Sequence, residues 1–180
     1  MTLRRRVPAS GWFRMRFRRD ESGAAAAEFA VVLTLLTIPI LNVVDLGNYV
    51  YQRMELDNAT QVGAQAVWAA VGGSNCNTPV TVGNNCPNVS TMISTAMQST
   101  PLGTEVSLIS TSENYYCVNS SGALVVTGSL SSRPTCSDGQ LAGDYVLVTA
   151  DCTYTAVFTG VSVVSLLTNP IVRTAWTRLN

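Results

Sequence analysis

Five cysteines and one isolated glutamate are the residues of this sequence whose types and positions could carry chemistry. Cys76, Cys86, Cys117, Cys136 and Cys152 all fall beyond residue 73. The chain has no histidine. Without one, no Ser-His-Asp triad, Cys-His dyad or His-containing zinc site can be built within it. There is no C-x-x-C pair either. The cysteines therefore read as disulfides rather than as metal ligands or a catalytic thiol, with two bridges possible and one thiol left over. Cys76 and Cys86 bracket a loop holding Pro79 and Gly83 that could close on itself. The sequence leaves the full pairing open, and Cys152 reads either as a buried free thiol or as a cross-sheet partner. The carboxylates Glu105, Glu113, Asp138, Asp144 and Asp151 form no D-x-D-x-D-G loop and read as solvated surface charges. No enzyme, metal or cofactor is expected.

The isolated glutamate is Glu28. It is the one charge between Ala24 and Val44, and from Phe29 to Val44 there is none. A helix rises about 1.5 Å per residue, so this run spans roughly 30 Å, the thickness of a hydrocarbon core. Within it only Thr34 and Thr37 interrupt Phe29–Leu41 among polar residues, and a threonine hydroxyl can bond back to its own helix. Pro39 should kink the helix. A carboxylate costs about 2.5–3.5 kcal/mol at mid-membrane and less near the interface, so Glu28 is either an interfacial residue that snorkels or a charge in search of a partner.

The charges fix a direction. Eleven basic residues balance eleven acidic ones, all of the basic residues are arginines, and seven of these precede Asp20. Charged residues make up 12% of the chain, below the roughly 25% usual for soluble domains. The arginine-rich leader reads as a topology signal and not as a nucleic-acid site. It predicts a single span with the N-terminus cytoplasmic and everything after Asp45 outside. Past the span, residues 45–71 read as an amphipathic continuation of the helix, with stripes Leu46, Val50, Met54 and Ala59, Gly63, Val67, Val71, stopped by Gly72-Gly73-Ser74. Residues 73–180 are rich in Ser, Thr, Asn and Gly. They predict a short helix over Val89–Gln98 and strands over Thr104–Ser110, Asn114–Asn119, Ala123–Thr127, Tyr145–Thr159 and Ile171–Leu179. The expected fold is α+β: a leader over 1–23, a long helix over 24–72 with its span at about 24–44, and an extracytoplasmic antiparallel-sheet domain over 73–180.

The residues around Glu28 narrow the function. Gly23 is followed by Ala24-Ala25-Ala26-Ala27-Glu28-Phe29-Ala30. A small residue, then glutamate five positions on and an aromatic next, resembles a prepilin-type cleavage motif. Together with Ala26, Pro39 within the span and Gly47 after it, the segment resembles the TadE-like pseudopilins of tight-adherence (Tad, Flp-type) pilus systems. The resemblance implies removal of the leader between Gly23 and Ala24 by a prepilin peptidase. It implies residence in a bacterial inner membrane or in the pilus, and assembly with other pilins and pseudopilins on an inner-membrane platform. Glu28 and Phe29 would then set the register of packing, in lipid or against neighbouring helices. Where the family has an Ala-Arg pair, this chain has Ala64-Gln65. The alternative is an uncleaved, signal-anchored surface protein whose outer domain binds a ligand or partner.

Overall fold

The computed structural model describes residues 21–73 and 76–179. Most of the basic leader, residues 1–20, lies outside the described residues. The chain divides into two compact units, Met1–Ile40 and Leu41–Asn180.

In the first unit the chain is helical from Glu21, the start of α1 (Glu21–Gly72). Alanine and leucine favour this conformation. The hydroxyls of Thr34 and Thr37 donate to the carbonyls of Ala30 and Leu33 at 2.8 and 2.7 Å, so neither needs a partner outside the helix. Pro39 lies inside α1, and the boundary between the two units falls just after it, at Ile40.

The second unit holds the rest of α1, the short helix α2 (Val89–Gln98) and four antiparallel strands. These are β1 (Val106–Val118), β2 (Leu124–Val126), β3 (Gly143–Cys152) and β4 (Ile171–Arg178), in the spatial order β2-β1-β3-β4. This is the α+β arrangement expected, with a long N-terminal helix leading into an antiparallel sheet and two disulfides. One face of the sheet is the core face. Val146, Val148 and Ala150 of β3 and Ile171 and Ala175 of β4 join Leu56, Ala59 and Val67 of α1 and Ile93 and Met97 of α2 in one buried cluster. Gly63 lets α2 come this close, since a Cβ there would lie 2.8 Å from Met97 Cγ.

In its elements and helix face the structure departs from the sequence expectations in three places. The two strands expected over Thr104–Ser110 and Asn114–Asn119 form a single β1. A bulge between Leu108 and Ser110 absorbs Ile109, so the inward set switches from Val106 and Leu108 to Thr111, Glu113 and Tyr115. That phase change, with polar residues turned inward, is what a period-two reading takes for a gap. The strand expected over Tyr145–Thr159 ends at Cys152. There the Asn169 side chain takes over from the ladder: its Oδ1 accepts from Tyr154 N at 3.0 Å and its Nδ2 donates to Tyr154 O at 2.9 Å. Finally, Leu46, Val50 and Met54 are exposed, and the buried face of that stretch carries Asp45, Tyr49 and Leu56. The domain covers the helix through polar bonds there, which an apolar-stripe criterion does not register.

Candidate assembly helix and its clamp

Around the expected cleavage point, Gly23 and Ala24 are helical and exposed, and a Cβ on Gly23 would meet nothing within 4 Å. One turn further, Glu28 is exposed beside Ala27, Val31 and Val32 on the same face of α1. Phe29 is 67% exposed. Val32, Leu35, Leu36 and Ile38 are exposed as well. Further along the chain, Arg173 pairs with Asp57 at 3.0 Å. A helix apolar all round and uncovered over four turns needs an apolar environment that the described residues do not supply. Its length and composition fit a single-pass membrane protein.

The second unit grips the helix just where the apolar run ends. Asn42 Oδ1 accepts from Val163 N at 2.7 Å. Asp45 Oδ1 accepts from the Tyr154 hydroxyl at 2.8 Å and from Val157 N at 2.8 Å. Tyr49 donates from its hydroxyl to Thr168 O at 3.0 Å, and its ring meets that of Tyr154 edge-on at 5.4 Å. Asp45 is buried, yet its carboxyl is held below the ordinary carboxylate range. The Ser162 hydroxyl lowers it most, burial opposes, and Tyr154 with the Val157 and Phe158 amides adds to the lowering. All these donors come from the β3–β4 connection. In the sequence Asp45 serves only as the first charge past the span; in the structure it is the centre of a clamp. A charge-free segment bearing Tyr154 and ending in an Asn-Pro pair is the signal that could have found it.

Two of the carboxylates expected at the surface are buried, Glu113 at 3% exposure and Asp144 at zero. Glu113 has a structural task. Its Oε1 accepts from Val80 N at 2.9 Å, and its Oε2 accepts from Thr81 N and Thr81 Oγ1, both at 2.7 Å. It thereby pins the loop between Cys76 and Cys86 to β1. Asp144, on the neighbouring strand, is pushed up to about 7, by burial first and then by the negative charge of Glu113, with Arg133 pulling the other way.

The cysteines pair Cys76 with Cys86 and Cys117 with Cys136, at Cα separations of 4.4 and 5.7 Å. The first closes the loop held by Glu113, and the second ties the end of β1 to the segment before β3. Cys152 is a buried thiol on the core face of β3. Burial pushes it up from its ordinary range, which keeps it protonated and unreactive.

Comparison with known proteins adds one match. The family model described as TadE-like protein matches residues 23–65, covering Gly23, Glu28, the whole apolar run, the clamp residues Asn42, Asp45 and Tyr49, and the first part of the packed helix. No curated protein and no solved structure matches the chain. TadE-like proteins are structural and assembly proteins of pili rather than enzymes, so the match supports a Tad pilus-associated protein.

Proposed function

We propose that the protein is a minor pseudopilin or assembly factor of a Tad-type pilus, cut after Gly23 by a prepilin peptidase and held N-in, C-out in a bacterial inner membrane before assembly. The observation that carries this reading is the uncovered surface of α1. Its apolar residues are exposed from Phe29 to Ile40 and again at Val43 and Val44, and beyond them Leu46, Val50 and Met54 continue an exposed stripe on the half that the domain packs against. Lipid and a bundle of pilin helices are both apolar, so such a helix passes from one to the other with little change in hydrophobic exposure. Close fit and paired charges then decide where it stops. Cleavage places a new amine at Ala24, one turn from Glu28. Between staggered helices that amine and a neighbour's carboxylate neutralise each other and select register. The outer domain, anchored by the clamp, is displayed at the fibre surface or tip, or held in the periplasm.

One experiment tests both steps. N-terminal sequencing of membrane protein from the native host should read from Ala24, and Gly23→Leu should leave a species heavier by the 23-residue leader. Glu28→Ala and Glu28→Gln should both be processed and inserted yet lose co-purification with the major pilin. A native N-terminus at Met1 favours the signal-anchored surface protein. Processed Glu28→Ala that still forms normal complexes reduces Glu28 to a snorkelling interfacial residue.

A further inference from the structure

The connection between β3 and β4 has an unusual surface. No residue from Cys152 to Val172 is charged. Tyr154 and Val164 point inward and are buried. Between and beyond them Val157, Val161, Val163, Leu166 and Leu167 are exposed, Leu166 at 84%. Five exposed apolar side chains within eleven residues, with no charge among them, point to a contact with something outside the domain.

The hydrogen bonds of the clamp state at what level that contact lies. Val163 is bonded to Asn42, a residue inside the apolar run, and Val157 to Asp45, the first charge after it. The connection therefore flanks α1 across the end of the span, at the level of the boundary between headgroups and acyl chains. It also supplies the two donors to Asp45 Oδ1, the Tyr154 hydroxyl and Val157 N. A carboxylate at that depth would otherwise hold water around itself and keep the loop away from the lipid.

We propose that residues 156–167 form a second membrane contact, seating Val157, Val161, Val163, Leu166 and Leu167 in the interface of the leaflet from which α1 emerges. This rests on reading the apolar run as a membrane span. The occupant is lipid because the patch lacks charge and its backbone amides are bonded to the side chains of Asn42, in the last turn of the apolar run, and Asp45, just past it. Exposed apolar side chains on a compact loop enter an interface readily, and such contacts scale with the apolar area buried. The loop then holds the outer domain down on the membrane surface, and leaving the bilayer for a fibre requires it to let go.

The test uses the full chain in vesicles of phosphatidylethanolamine and phosphatidylglycerol, doped with a phospholipid carrying a photoactivatable diazirine in its acyl chain. After illumination, peptides from residues 29–44 and from residues 156–167 should carry lipid adducts, and peptides from β1 should not. The double substitution Leu166→Ser, Leu167→Ser touches side chains exposed in the folded domain. It should lower loop labelling at least fivefold and leave span labelling unchanged. A labelled span with an unlabelled loop overturns the proposal. So does photo-leucine at Leu166 that joins a second protein chain instead of lipid. An unlabelled span removes the membrane reading itself, and the loop contact with it.

Discussion

From Gly23 to Ile40, α1 leaves Phe29, Leu33, Leu36 and Ile40 more than half exposed, whereas from Leu41 to Gly72 the same helix buries Tyr49, Leu56, Ala59, Ala64 and Val67. Backbone geometry is common to both stretches, and what differs is where the partner for the apolar surface comes from. In the second stretch the chain brings its own partner, a sheet and a second helix. In the first, none is supplied among the described residues, and the helix stays apolar on every side. Helical hydrogen bonding alone leaves a stretch of this kind marginal in water; packing or lipid must complete it. The two halves should therefore answer differently to the same kind of substitution.

The largest difference is expected for leucine truncation. Leu56 is fully buried and Leu36 is 53% exposed. Leu56→Ala should cost the outer domain about 3 kcal/mol, within the range for a core leucine that leaves a cavity. Leu36→Ala should change domain stability by no more than about 0.5 kcal/mol, as for an exposed site. Denaturant unfolding of the full chain in detergent micelles, followed by near-ultraviolet circular dichroism, measures both. Equal losses would mean that the two halves share one cooperative unit and that the comparison fails.

How much of this was legible in the sequence divides along the same line. In the apolar half, composition alone is decisive: one charge in a run long enough to cross a bilayer admits few alternatives, and the Gly23–Glu28–Phe29 spacing points to the TadE-like match over residues 23–65. In the packed half, periodicity located α2, whose apolar residues Val89, Met92, Ile93, Ala96 and Met97 keep helical spacing. It failed where polar residues turn inward. Glu113 and Asp144 occupy core-face positions, Asp45 lies on the buried side of α1, and the bulge at Ile109 reverses the phase of β1. A buried carboxylate is stable only with donors that come from far along the chain: 33 residues for Val80 to Glu113 and 109 for Asp45 to Tyr154. No local pattern encodes such a pairing.

The second way to separate the halves is pH. Asp144 is raised from its ordinary 3.8 to about 7 in the folded domain. Between those values the folded state keeps a proton that the unfolded chain has lost. Stability from this group is therefore full below about pH 4, falls as pH rises through 7, and levels off above. The groups that set it are Glu113, which raises it, and Arg133, which lowers it. Asp45 works in the opposite sense, since its lowered value removes stability only as pH falls below the ordinary 3.8. Between pH 5 and 8, then, Asp144 governs. The Tm of the outer domain should drop by several degrees over that interval, and Asp144→Asn should flatten the profile and raise the Tm at pH 8. An unchanged slope in Asp144→Asn would assign the pH response elsewhere.

The smallest effect, and the one that bears most on assembly, comes from two glycines of α1. A Cβ at Gly63 would stand 2.8 Å from Met97 Cγ and 3.1 Å from Ile93 Cγ2, both in the core, whereas at Gly47 it would meet nothing within 4 Å. Replacing an interior helix glycine by alanine gains about 1 kcal/mol from backbone entropy. At Gly63 the overpacking, about 1–3 kcal/mol, outweighs that gain, so Gly63→Ala should be net destabilising by about 1 kcal/mol. At Gly47 nothing opposes it, and Gly47→Ala should stabilise the domain by up to about 1 kcal/mol. Yet Gly47 adjoins the exposed residues Val43, Leu46 and Val50. Small residues on such a face let a second helix approach closely. If α1 packs there in the fibre, Gly47→Ala should give a more stable protein and fewer fibres, a combination that no folding defect can produce. The pair of measurements is thermal unfolding of the purified chain and surface fibre counts in the native host. Higher stability with undiminished fibres would place the packing seam on another face of the helix.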